Sequence, residues 1–261
     1  MGKIVAIANQ KGGVGKTTTA VNLSTCLAKA GKKTLMIDAD PQGNATSGIG
    51  LEKNIETSIY DVMINDAKTE DAIYDTSIKN LKVCPSNINL AGAEVELVSM
   101  MSREHRLREK TEEVKDKFDY IIIDCPPSLG LITLNAFTAA DSVMVPIQCE
   151  YYALEGLGQL INTINLVKKH LNKNFEIEGA LLTMYDARTN LSNQVVREVK
   201  NFFEDKVYKT VIPRNVKLSE APSYGMPITV YDPKSKGAKC YDKFTKEFLK
   251  NNVQDKAKHM K

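Results

Sequence analysis

Lys11-Gly12-Gly13-Val14-Gly15-Lys16-Thr17-Thr18 gathers in one stretch the groups that can grip a polyphosphate. Glycines let the backbone turn its N–H groups inward with no Cβ in the way. A helix starting at the end of the stretch adds its positive N-terminal dipole beneath the phosphates. In that frame Lys16 reaches the β- and γ-phosphates, and the Thr17 hydroxyl can ligate Mg²⁺. The bland alternative is a glycine-rich turn flanked by surface lysines. Two acidic positions extend the set. Asp124 closes the run Tyr120-Ile121-Ile122-Ile123, the Walker B form, where a carboxylate would hold a Mg²⁺-bound water. Asp40 stands in Asp38-Ala39-Asp40-Pro41, at the end of another apolar run. Acidic residues at the carboxyl ends of strands lie where open α/β sheets place their chemistry. Plainer roles are a helix cap for Asp124 and a turn residue for Asp40.

These groups need strands behind them and helices in front. Ile4 to Ala8, Lys33 to Ile37, Leu81 to Pro85, Phe118 to Asp124, Ser142 to Pro146, Ile177 to Thr183 and Val207 to Ile212 read as strands. Thr19 to Lys29, Ser58 to Asp66, Lys68 to Tyr74, Thr133 to Ala140, Leu154 to Leu171, Ser192 to Phe203 and Lys236 to Lys250 read as helices, with Gly31 ending the first. Ala91 to Val114 reads as one long charged helix. The stretches through Gly50 and from Pro213 to Tyr224 read as loops. Strand and helix alternate without a linker or repeat. The expected fold is one doubly wound α/β domain, residues 1–250, with a mostly parallel sheet flanked by helices. Residues 251–261 are expected to be a frayed basic tail.

The 261 residues carry a net charge of +3 and no stretch of membrane-span length. The N-terminus enters a strand at once, which leaves no room for a signal peptide. Cys26, Cys84, Cys125, Cys149 and Cys240 show no C-x-x-C spacing, which suits a reducing cytoplasm and argues against zinc or disulfides. Charge is uneven: from Lys206 onward there are 13 Lys and Arg against 5 Asp and Glu, a net +8. Such a basic C-terminal stretch suits a polyanionic partner or a solvated helix surface equally.

The phosphate loop departs from the general G-x-x-x-x-G-K-[ST] pattern. Gln10 stands where its first glycine would fall, and Lys11 follows. That variant resembles the deviant Walker A of the ParA/MinD class of P-loop ATPases. Further blocks resemble the chromosome-partitioning ParA/Soj family: DADPQGNATSG at 38–48, DYIIIDCPPSLG at 119–130, VPIQCEYYALEGL at 145–157, LLTMYDARTNLS at 181–192 and VIPRNVKLSEAPSYGMPI at 211–228. The likeness runs from Met1 to about Leu249.

The resemblance implies a slow ATPase that forms a homodimer around two ATP molecules. Lys11 would reach the partner's phosphates, a charge delivered in trans as in an arginine finger. Asp40 would position the attacking water. Residues Lys11 to Thr18 would hold the phosphates, and Pro213, Arg214 and Asn215 would contact adenine. Arg188 and Lys217 would contact double-stranded DNA without sequence preference, through its phosphates. A ParB-type partner would stimulate hydrolysis, and the location would be cytoplasmic, on the nucleoid when ATP is bound. The runner-up is a MinD-type membrane ATPase. It needs an amphipathic C-terminal helix, and Asn251 to Lys261 offers only Val253, Ala257 and Met260. An iron–sulfur carrier would need shared cysteines in a cluster pattern that Cys125 and Cys149 do not follow. A metabolic kinase would need an acceptor pocket, and a pure DNA-binding module would leave the P-loop idle.

Overall fold

The structure, a computed structural model, describes residues 2–51, 55–150 and 156–259, with side chains to Val253. Seven strands form one sheet: β1 Lys3–Ile7, β2 Thr34–Asp38, β3 Tyr74–Asp75, β4 Leu81–Cys84, β5 Tyr120–Asp124, β6 Ser142–Gln148 and β7 Glu176–Thr183. Their order is β3-β4-β2-β5-β1-β6-β7, and every pairing is parallel except β3 with β4. The helices are α1 Lys16–Lys29, α2 Asn44–Gly48, α3 Ile59–Met63, α4 Leu90–Glu96, α5 Arg106–Glu112, α6 Leu131–Ala139, α7 Leu157–His170, α8 Asn190–Phe203, α9 Val216–Glu220, α10 Ile228–Tyr231 and α11 Lys236–His259. The expected doubly wound α/β architecture is the observed one.

The central strands are largely apolar because both faces of a parallel sheet are covered. On β1, Val5 and Ile7 face one core with Leu23 and Leu27 of α1 and Phe244 and Phe248 of α11. Ile4 and Ala6 alternate to the other face, with Phe137 of α6 and Leu160 and Ile164 of α7. The result is three layers, with the carboxyl ends of the parallel strands along one rim.

Several sequence expectations are corrected. The span from Ala91 to Val114 is not one helix: α4 gives way to a 3₁₀ turn at Leu97–Ser99, and α5 starts afresh at Arg106. Asn135 of α6 holds the break, donating to Arg103 O at 2.7 Å and accepting from Leu107 N at 3.1 Å. The stretch before Gly50 contains α2 rather than only loop, pinned by Thr46, whose N–H and hydroxyl both donate to Asp38. The Lys68 to Tyr74 stretch is a 3₁₀ turn, Thr69–Ala72, leading into β3. Val207 to Ile212 is not a strand: it meets β7 at the isolated bridge Ala180↔Val207 and again where Ile212 N donates to Leu182 O at 2.8 Å, with a second bridge at Tyr185↔Pro213. Glu247 of α11 takes the N–H groups of Lys209 and Thr210, at 2.7 and 2.9 Å; a ladder continuing from Tyr208 N would have needed that of Thr210. The Pro213 to Tyr224 loop contains α9 and a 3₁₀ turn, Ala221–Tyr224. The last helix runs past Lys250 to His259, with Asn252 buried. Leu154, expected to open α7, lies outside the described residues.

Candidate nucleotide site

The phosphate loop joins β1 to α1 at the carboxyl rim. Gly13 and Gly15 have φ of +73° and +89°, a conformation L side chains rarely adopt. Gly15 is the N-cap of α1, so the first helical N–H groups open toward the loop. Neighbouring strands brace it. Asn9 accepts from Lys11 N at 3.0 Å and donates to Pro146 O at 2.8 Å. Thr183, the last residue of β7, donates its hydroxyl to Val14 O at 2.8 Å. Neither Asn9 nor Thr183 was singled out from the sequence, because a bracing role depends on which strands are neighbours.

Lys16 is 6% exposed, and its Nζ donates to Lys11 O at 3.1 Å, folding the side chain back over the loop. Burial lowers its pKa, and the charges of Asp124, Cys125 and Asp40 oppose that shift. The four groups therefore share one small volume.

Asp38 and Asp124 stand side by side in the β2–β5 register. Both are fully buried. Asp38 accepts from Thr46 N and Oγ1 at 2.8 and 2.7 Å and from Asp40 N at 3.2 Å, yet burial still pushes it up to about 6. Asp124 is raised well above the ordinary carboxyl range, first by burial and then by the charge of Asp38. Among the described residues neither Asp124 oxygen has a donor; the Thr17 hydroxyl offsets part of the rise without reaching hydrogen-bond geometry. A buried carboxylate without donors is costly, and a cation supplies what it lacks. Among the described residues no three His, Cys, Asp or Glu side chains converge as a metal cage. Mg²⁺ takes one or two protein groups, with waters and phosphates completing its shell. Asp124, with Thr17 beside it, is the position assigned to Mg²⁺ from the sequence. Asp38 was read only as part of an acidic run; its pairing with Asp124 requires the strand order.

Asp40 is 7% exposed, with Oδ1 held by Gln42 N at 2.9 Å. On the far side, Tyr185 N bonds Ile212 O at 3.0 Å and Arg214 N bonds Tyr185 O at 3.2 Å. This zips the segment at Pro213, Arg214 and Asn215 to the end of β7. Asn215 caps α9, and its Oδ1 is buried without a donor. Arg214 pairs with Glu150 at 2.5 Å. Arg188 and Lys217 lie on the two zipped segments and face solvent.

A glycine loop capping a helix, a lysine folded over it and a metal-ready carboxylate on the adjacent strand define a P-loop nucleotide-binding protein of the deviant Walker class. A family model described as an AAA domain matches residues 2–177. The sporulation initiation inhibitor protein Soj of Bacillus subtilis is 64% identical, over 96% of this chain and 100% of its own. The chromosome-partitioning ATPase Soj of Treponema pallidum is 50% identical, over 97% and 100%. Among solved structures, the Mycobacterium smegmatis protein described as cobyrinic acid a,c-diamide synthase, with bound ATP analogue and magnesium, superposes with a TM-score of 0.85 at 38% identity, covering 95% of each chain. The chain belongs to the Soj/ParA family of chromosome-partitioning ATPases.

Proposed function

We propose that this ATPase pairs with a second copy around two ATP molecules, binds double-stranded DNA without sequence preference in that state, and is reset when a ParB-type partner stimulates hydrolysis. The observation that carries the reading is continuity from the phosphate loop to the basic rim. Thr183 braces Val14, and two residues on, Tyr185 bridges to Pro213. Arg188 and Lys217 flank that bridge. A change at the loop has a short, hydrogen-bonded route to both.

The residues divide the work. The loop N–H groups and Lys16 bind and orient the phosphates, and Lys11 is assigned to the partner copy's phosphates. Thr17 directly, and Asp124 through a bound water, would hold Mg²⁺, which when bound neutralises charge on the phosphate oxygens. The Asp40 carboxylate, its Oδ1 fixed by Gln42 N, is assigned to orient the attacking water. Hydrolysis breaks the bond between the γ-phosphorus and the bridging oxygen as water adds its oxygen to phosphorus. No strong base is assigned beside Asp40, so turnover should be slow and suited to timing. Asn215 Oδ1, an orphaned acceptor, fits an exocyclic amino donor such as that of adenine. Identity of 64% to Soj against 30% to the cell-division ATPase MinD of Pyrococcus furiosus favours the partition role over the membrane one. Among the described residues no helix is long and apolar enough to cross a membrane. The proposed location is the cytoplasm, on the nucleoid when ATP is bound.

The test combines light scattering with retention of duplex DNA, using a slowly hydrolysed ATP analogue, ADP or no nucleotide. A dimer and DNA retention with the analogue alone are expected, and Lys11→Ala should bind ATP yet stay monomeric. Equal DNA retention in all three states would overturn the switch.

A further inference from the structure

Each basic residue on the proposed DNA rim is already held by a carboxylate of its own chain. Arg188 is 88% exposed, yet its Nη2 lies 2.7 Å from Asp186 Oδ2. Its Nε donates to Asp186 Oδ1 at 2.9 Å, so the guanidinium is bound by both oxygens. The Arg188 backbone N–H donates to the same Oδ1 at 3.0 Å. Arg188 holds Asp186 far below the usual carboxyl range, and the charge of Arg214 adds to this. Lys217 Nζ lies 2.9 Å from Glu220 Oε2, which also accepts from Tyr231 OH at 3.0 Å. The same ammonium sits 5.7 Å from the Tyr231 ring centroid, and that ring stacks on Tyr224 at 5.0 Å.

This geometry bears on phosphate binding. A planar guanidinium takes a carboxylate and a phosphate through the same paired N–H groups, so the two exclude one another. A displaced carboxylate stays nearby and repels the incoming phosphate. Exposed ion pairs are individually weak, so the pairing acts as a threshold rather than a lock. We propose that Asp186 and Glu220 are built-in competitors for DNA phosphate, occupying Arg188 and Lys217 and setting how much salt this rim tolerates before it releases DNA. The proposal rests on the reading that Arg188 and Lys217 contact DNA. It adds that the acidic neighbours tune that contact downward, so that one copy binds poorly and a pair of copies is needed.

Asp186→Asn and Glu220→Gln remove the charge and keep the shape. The amide oxygen that replaces a carboxylate oxygen in Asp186→Asn can still accept from the Arg188 N–H, which preserves the turn. Retention of random-sequence duplex DNA is measured against salt with the slowly hydrolysed ATP analogue, alongside Arg188→Ala and Lys217→Ala. Each isosteric variant should bind DNA about three- to tenfold more tightly at low salt, with the two effects multiplying. The salt slope should steepen by up to about 0.9 per competitor removed. The ATP-dependent dimer mass should not change, which separates competition from altered folding or pairing. If Arg188→Ala and Lys217→Ala weaken binding while Asp186→Asn and Glu220→Gln leave it unchanged or weaker, the competitor proposal is overturned and the DNA surface stands. If Arg188→Ala and Lys217→Ala bind DNA like the unaltered protein, the DNA surface lies elsewhere and the proposal falls with it.

Discussion

The two ends of the parallel strands are built on opposite principles. At the amino end, Glu178 of β7 is almost buried and fully occupied. Its Oε2 accepts from Lys3 Nζ and from Ser142 Oγ, each at 2.6 Å. Its Oε1 accepts from Asn252 Nδ2 at 2.9 Å and Tyr208 OH at 3.5 Å. Lys3 also donates to Asn252 Oδ1. This network ties β1, β6 and β7 to the end of α11. At the carboxyl end, both Asp124 oxygens, Gln10 Oε1, Ser86 Oγ and Asn215 Oδ1 are buried with no partner among the described residues. The other orphans, Ser24, Thr229 and Thr245, are helix hydroxyls. A saturated buried network contributes rigidity; an unsaturated one holds acceptors ready for ligand at a cost to the empty fold.

The largest expected effect falls at the carboxyl end. Lys16→Ala should weaken ATP binding by more than about 100-fold, because it removes a charge-assisted contact in a water-poor site. Calorimetric titration with ATP checks this, and near-normal affinity would break the contrast between the two ends. Next is Asp40→Ala, which should cut turnover about 100-fold while ATP affinity stays within about twofold. Phosphate release compared with nucleotide affinity separates the two; parallel loss of both would make Asp40 a binding group. Glu178→Ala should do the reverse at the amino end. Removing one partner of a buried pair costs about 3 kcal/mol of stability, read by urea unfolding, with ATP affinity unchanged in the folded fraction. The smallest effect is a pH dependence. Asp38 is pushed up from 3.8 to about 6, so its share of stability is complete below the lower value and is lost as pH rises through the upper one. Without nucleotide, the unaltered chain should therefore lose stability relative to Asp38→Asn over that window. A flat difference would mean that Asp38 ionises freely.

Much of the carboxyl end was legible in the sequence because its chemistry is local. The loop from Lys11 to Thr18 is contiguous, and its glycines and lysines announce a phosphate grip wherever a strand precedes and a helix follows. Asp124 was legible because it ends an apolar strand. The amino end was silent. Lys3, Ser142, Glu178 and Asn252 come from four distant places, and nothing in their local sequence distinguishes them from surface polar residues. The helix expected to end at Lys250 runs on for the same reason: Asn252 is anchored by a partner 74 residues away. The strand expected at Val207 to Ile212 failed similarly, since Glu247, 37 residues on, claims the N–H of Thr210.

The order of residues was enough for the class of fold and for proposing a phosphate loop with carboxylates at its margin, because periodicity and contiguous motifs act over a few residues. Which carboxylates share a site, and which cations are already engaged, was left to the folded chain. Asp38 meets Asp124 only because β2 and β5 are neighbours in register. Arg188 and Lys217 meet one rim only because Tyr185 bridges to Pro213. Charge interactions and desolvation depend on distance through space and on burial, and strand order, not sequence separation, fixes both.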